Sequence, residues 1–206
     1  MTNKKTDKKK FKILAAGDFH GDSATTKKLA IKAQKENVDL VVLTGDITSP
    51  LKTKNILKPF IDIGKKVVII PGNHDTTESM DLFSHLYGVK NIHDRYTIYD
   101  DVGIFGIGSP DWQFDLDEEK AFNKLKKDFE KIKGLDKKIM ISHIHAADTK
   151  SEFSGIPGST GLRKAIEKFQ PDVFLSGHIH EAEGFSEKIG KTKVYSVGRK
   201  GKIIEI

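Results

Sequence analysis

The chain has no cysteine among its 206 residues. That excludes a disulfide framework, a thiolate zinc site and a thiol nucleophile, and it leaves His, Asp, Glu and Asn to hold any metal. No apolar run approaches the roughly 18–20 residues that a membrane-spanning helix needs. The first residues are polar and lysine-rich, unlike the apolar core of a signal sequence. These absences set the expectation of a cytoplasmic protein without a membrane partner. No proline-rich or serine-rich stretch marks a linker, so residues 11–206 are expected to form one domain. The formal charge of +6 is also misplaced for a nucleic-acid groove. Residues 1–12 hold six lysines against Asp7, which leaves the remaining body near neutral. Residues 1–10 read as a disordered, solubilising basic tail, and nucleic acid is not the expected partner.

From Phe11 onward, apolar runs alternate with amphipathic stretches. Lys12–Ala16, Val38–Thr44 and Val67–Ile70 read as strands, separated by a helix from a Ser23 cap to Glu36 and a short helix at Lys52–Phe60. Such alternation requires crossover connections and a buried, largely parallel sheet. A helix at Glu78–Tyr87 is followed by short strands around Asn91 and at Tyr96–Tyr99 and Gly103–Gly108. Ser109–Asp117 reads as a loop bearing Trp112 and Phe114, and Asp117–Lys131 as a charged helix capped by Asp117. Strands at Lys138–Ile141 and Val173–Leu175 flank a helix at Gly161–Phe169, and Gly184–Ile206 reads as β-ribbons turning at Gly190 and Gly198–Gly201. The expected class is α/β, with two packed sheets flanked by helices in a four-layer sandwich.

Five strands are each followed by metal-binding side chains. Asp18-Phe-His20 follows the first, Gly45-Asp46 the second and Gly72-Asn73-His74-Asp75 the third; His143 follows Ile139–Ile141, and Gly177-His178-Ile-His180 follows Val173–Leu175. Ligands of open α/β sheets bind beyond the carboxyl ends of the strands, so these loops should converge. Asp18 and His20, like His178 and His180, are spaced to point the same way from an extended loop. A carboxylate such as Asp46 has two oxygens and can bridge two cations. His85 and His93 lie outside these clusters and read as structural.

The ordered set DFH, GD, GNHD, SHIH and GHIH resembles the signature of calcineurin-like metallophosphoesterases and spans Asp18 to His180. The resemblance implies the αββα sandwich and two divalent transition-metal ions, with manganese favoured among Mn, Fe, Co, Ni and Zn. It implies Asp18, His20, Asp46 and His180 around the first ion, and Asp46, Asn73, His143 and His178 around the second. His74 would stay free as general acid, with Asp75 orienting its ring. The implied reaction is in-line attack on phosphorus by a metal-bridging hydroxide.

The runs Gly158–Arg163 and Gly177–Gly184 resemble a compact branch of small bacterial and archaeal phosphoesterases. The implied substrate is a small phosphodiester or nucleotide; a phosphomonoesterase, a nuclease or a catalytically silent binding module are the alternatives. His145, two residues beyond a ligand position, is a candidate for substrate contact. So are Trp112, as a stacking surface, and Arg163, as a phosphate contact. Homo-oligomerisation is left open.

Overall fold

The computed structural model describes residues 10–49 and 54–206. The basic tail expected over residues 1–10 lies outside them except for Lys10, which pairs with Glu205 at 3.3 Å.

Strands β1 (Lys12–Ala16), β2 (Leu40–Leu43), β3 (Lys66–Ile69) and the short β4 (Lys90–Asn91) run parallel. They are connected through helices α1 (Ser23–Lys35), α2 (Lys58–Asp62) and α3 (Thr77–Tyr87). Next in the chain come β5 (Arg95–Tyr99), β6 (Val102–Ile107), α4 (Glu118–Ile132), β7 (Lys137–Ser142), α5 (Thr160–Phe169), β8 (Val173–Ser176), β9 (Ser186–Ile189) and β10 (Thr192–Ser196). They build a second sheet in the order β5-β6-β7-β8-β10-β9, whose two edge strands pair antiparallel. The last strand, β11 (Lys202–Glu205), returns to the first sheet antiparallel to β1.

The period-2 alternation of each strand sorts its side chains into separate layers. Leu14, Ala16, Val41, Leu43, Val67 and Ile69 pack outward against Leu29, Ala33, Phe60, Met80 and Phe83 of the first three helices. Ile13, Ala15, Leu40, Val42 and Val68 face inward onto Ile104, Ile139, Ile141, Val173 and Leu175 of the other sheet. Phe105, Met140 and Phe174 then meet Phe122, Leu125, Leu162, Ile166 and Phe169 of α4 and α5. The result is the four-layer α/β sandwich. Each fully buried Ile, Leu or Phe contributes roughly 1.5–3 kcal/mol, so the packed layers carry the stability and the loops at their ends need not.

Several boundaries differ from expectation. The N-cap of α1 is Asp22 rather than Ser23: its carboxylate accepts from the amides of Ala24 and Thr25, a bond the shorter serine hydroxyl does not make here. Helix α2 starts at Lys58, not Lys52, with Pro59 in its first turn, where a missing amide costs nothing; residues 52–53 lie outside the described set. Helix α3 starts one residue earlier, at Thr77, behind a capping box between Thr76 and Ser79, and stops at Gly88, whose φ is 64°. Short 3-10 turns at Lys150–Ser154 and His180–Ala182 carried no periodic signal. The C-terminal segment is only partly a ribbon: β9 and β10 form a hairpin, but β10 also lies parallel to β8, and β11 crosses to the other sheet.

Candidate metal centre

The loops after β1, β2, β3, β7 and β8 meet where the two sheets expose their carboxyl ends. Two backbone bonds tie the first two of these turns together, from Asp18 N to Gly45 O at 3.0 Å and from His20 N to Asp46 O at 2.9 Å. Gly177 N donates to His143 O at 3.0 Å and ties the last two loops together. Gly72 is required by close approach: a Cβ there would stand 2.2 Å from Asp46 Oδ1. Gly45 combines a φ of +99° with a Cβ position 2.6 Å from Gly72 N.

Three groups of side chains bring their ligand atoms within 4.8 Å of one another: Asp18 with His20 and His180, His20 with Asp46 and His74, and Asp18 with Asp46 and His143. His20 Nε2 lies 3.2 Å from His180 Nε2 and 3.7 Å from Asp46 Oδ2. His143 Nε2 is 3.5 Å from the same Asp46 oxygen. Asn73 Oδ1 lies 3.0 Å from His143 Nε2 and 3.1 Å from His178 Nδ1. All seven side chains expected as ligands therefore share one cluster.

The protonation pattern tells what the cluster can accept. His143 Nδ1 sits 2.8 Å from the carbonyl oxygen of Thr44, which only an N–H can satisfy. In a neutral ring this places the proton on Nδ1 and turns the Nε2 lone pair toward Asn73 Oδ1 and Asp46 Oδ2, both acceptors. Burial, with the neighbouring His143, pushes His178 down to about 4, so it too presents a lone pair at neutral pH. Asp18 Oδ2 is buried with no hydrogen-bond partner among the described residues. Burial and the nearby Asp46 charge push the Asp18 carboxyl well above the usual range. Acceptors facing acceptors in a buried space repel unless positive charge lies between them. The donor set, imidazole nitrogens with carboxylate and amide oxygens, fits divalent cations of borderline character.

Backbone strain is also present at the cluster. Asp18, His20, Asp46 and His178 all have left-handed φ, at 56°, 47°, 48° and 70°. Non-glycine residues held this way cost of order 1–3 kcal/mol each.

The other expected site residues fare differently. The His74 amide donates to Asp46 Oδ1 at 2.9 Å, and its ring stands edge-on between His20 and Trp112, 4.9 Å from each. Trp112 is 56% exposed, has a φ of 63° and is anchored by its amide to Asn73 O at 2.9 Å. Phe114 is exposed on the same loop. The buried Asp75 carboxylate accepts from Gly72 N, Ile47 N, Thr48 N and Thr48 Oγ1, at 2.8–3.1 Å. His145 is buried, with Nε2 3.2 Å from Ile156 O. Arg163 is engaged by its own chain, donating to Glu167 Oε1 and to the carbonyls of Ala147 and Asp148. Thr44, whose carbonyl sets the His143 tautomer, went unnoticed in the sequence, since any residue type offers that group.

No curated protein matches the chain by sequence. Among solved structures, the protein TT1561 of Thermus thermophilus superposes with a TM-score of 0.75 at 17% identity, covering 95% of this chain and 99% of that one. A dimetal phosphatase from Danio rerio gives 0.61 at 11% identity, covering 92% and 88%. An archaeal phosphodiesterase gives 0.52 at 16%, covering 95% and 99%. These likenesses speak to the fold. The attribution rests on the sequence: the calcineurin-like phosphoesterase model matches residues 11–182, and the chain belongs to that family.

Proposed function

We propose that the protein is a two-metal hydrolase of small phosphodiesters or nucleotides, with His74 as general acid. The observation that carries this reading is the buried set of mutually facing ligand atoms: His143 Nε2, Asn73 Oδ1, Asp46 Oδ2 and the unpartnered Asp18 Oδ2. Asp18, His20, Asp46 and His180 would hold one cation, and Asp46, Asn73, His143 and His178 the other, with Asp46 shared. Bound divalent ions supply Lewis acidity and a nucleophile at neutral pH. A set without sulfur admits Mn, Fe, Co, Ni or Zn, and manganese is the ion to load first.

The chain's own groups do the rest. The His74 amide occupies Asp46 Oδ1, which leaves Oδ2 to face His20 and His143. The His74 ring, held between His20 and Trp112, stands at the edge of the cluster, where it can protonate a departing alkoxide. With four bonds already made, Asp75 is assigned to fixing the loops after β2 and β3 rather than to orienting the His74 ring. Trp112, exposed and anchored, serves as a stacking surface for the organic part of the substrate. His145 and Arg163 hold the 147–156 segment in place instead of meeting substrate. The archaeal phosphodiesterase of the same fold makes a diester the first substrate to try, against monoesters.

The test uses manganese-loaded protein on bis-p-nitrophenyl phosphate, p-nitrophenyl phosphate and a diester with an alkyl leaving group. His74→Ala is expected to keep both metals and lose about 10²–10⁴-fold in turnover of the alkyl ester. It should lose far less on the nitrophenyl esters, whose leaving group needs little protonation. No turnover of any ester would refute the hydrolase reading, and an equal loss on both leaving groups would remove the general-acid role.

A further inference from the structure

His20 borders two spaces. One side joins the cluster with Asp46 and His180. The other lines an open groove of about 640 Å³ whose polar wall is Asp22, Ser23, Lys54 and Arg199. The metal cluster and the groove therefore share His20 as a common wall. Nothing assigned so far to the phosphoester reaction uses Lys54 or Arg199.

The charges of the groove do not cancel. Asp22 is committed to helix α1, accepting from Ala24 N at 3.0 Å, Thr25 N at 3.2 Å and Thr25 Oγ1 at 2.9 Å. Arg199 Nη2 also donates to Asp22 Oδ2. That single contact orients the guanidinium and leaves its other N–H groups for a further acceptor. The Arg199 side chain stays 48% exposed despite the pair. Lys54 has no ion pair or hydrogen bond among the described residues and adds a second positive charge. A planar fork beside a flexible ammonium is the combination that recognises phosphate.

We infer that this groove is a second-anion subsite, binding a phosphate that the substrate carries beyond its scissile phosphoester. The inference rests on the phosphoester reading and narrows it: preferred substrates carry two phosphates on one small scaffold, as nucleoside bisphosphates and very short oligonucleotides do. Because the groove is open to water, its contribution is selectivity rather than tight binding. A charge-assisted hydrogen bond in such a setting corresponds to about tenfold in affinity.

The test compares two esters with one leaving group: thymidine 5′-(p-nitrophenyl phosphate) and the same molecule bearing a 3′-phosphate. The unaltered, manganese-loaded protein should prefer the second by about tenfold in kcat/KM at low salt, through KM, and the preference should shrink as salt rises. In Lys54→Gln/Arg199→Gln the ratio should fall to near one, and Arg199→Lys should retain part of it. Lys54→Gln alone removes no ion pair or hydrogen bond among the described residues, so a lowered ratio there is not a folding effect. A ratio near one in the unaltered protein, or the same ratio in the double variant, overturns the subsite. If neither ester is hydrolysed, the phosphoester reading fails on its own. Calorimetric binding of thymidine 3′,5′-bisphosphate against thymidine 5′-phosphate then decides the subsite. Tighter binding of the bisphosphate that the double variant abolishes supports it, and equal binding overturns it.

Discussion

A single methyl group at Gly72 should disable the site without unfolding the protein. A Cβ there would lie 2.2 Å from Asp46 Oδ1, 2.3 Å from Asp46 N and 2.8 Å from Asp46 Cγ. Reaching ordinary contact distance requires the two loops to separate by roughly 1 Å. The displacement cannot be absorbed locally. Asp46 Oδ1 holds the His74 amide, and the Gly72 amide donates to Asp75, which in turn fixes Ile47 and Thr48. Shifts of about 1 Å in reacting geometry cost on the order of 10²-fold in rate, equivalent to about 2.7 kcal/mol. Overpacking of this kind costs roughly 1–3 kcal/mol of stability, a few degrees per kcal/mol in a domain this size. Gly72→Ala is therefore expected to melt somewhat earlier, to bind metal substoichiometrically and to lose about 10²-fold in kcat/KM on bis-p-nitrophenyl phosphate. Gly134→Ala, where an added Cβ meets nothing within 4 Å, is the control and should match the unaltered protein. Gly72→Ala with full metal content and turnover within about threefold of the control would refute the claim that contact with Gly72 sets the position of Asp46.

Asp46→Ala should lose occupancy of both cations together, since its carboxylate faces His20 and His143 at once; elemental analysis showing full loading would remove the bridging role. His93 gives a pH-dependent contribution to stability. Burial first, then Lys124 and Arg95, hold it down to about 4 against an ordinary 6.5, so between those values the unfolded chain binds a proton the folded one refuses. The stabilisation is present above pH 6.5 and is lost as pH falls toward 4, by about 1.4 kcal/mol per unit before a discount for partial exposure. Urea denaturation at pH 7 and pH 5 should show a smaller pH effect in His93→Gln than in the unaltered chain, and an identical difference would sink the assignment.

The parts of this protein legible in its sequence are those in which side-chain type is the message. A cation needs imidazole and carboxylate, so the clusters at Asp18, Asp46, Asn73, His143 and His178 stand out after each apolar run. The layers were legible for the same reason: the unbroken apolar runs Ile13–Ala16 and Leu40–Leu43 leave no polar face, so both faces of the strand must be covered. What stayed hidden depends on backbone or on distant pairing. Thr44 contributes a carbonyl, which no residue letter advertises. The left-handed turns at Asp18, His20, Asp46 and His178 fall on Asp and His, which adopt positive φ more often than most residues but signal it far less than glycine. Asp22 and Ser23 are both good helix caps, and only the geometry of the turn chooses between them. The crossing of β11 to the first sheet follows from the free edge of β1, a tertiary fact with no local pattern. Arg163 is the converse case, a charged side chain that reads as available and donates to the carbonyls of Ala147 and Asp148.

Two carboxylates a short distance apart show how the fold separates scaffold from chemistry. Asp75 and Asp18 are equally buried, at 0% and 1% exposure. Asp75 accepts four hydrogen bonds from its neighbours, enough to fill both oxygens, and so its charge is consumed in joining the loops after β2 and β3. Asp18 accepts one, from the His178 amide, and its second oxygen has no hydrogen-bond partner among the described residues. A buried carboxylate oxygen without a partner is costly, and nothing in the packing obliges the chain to keep it. The cost is tolerable because the layered core lies beneath the loops and the loops contribute little to it. It becomes intelligible because the same carboxylate faces Asp46, His143 and the strained turns that present them. Satisfied carboxylates such as Asp75 hold this site in shape, and the unsatisfied oxygen of Asp18 is the acceptor on which the proposed cation site rests.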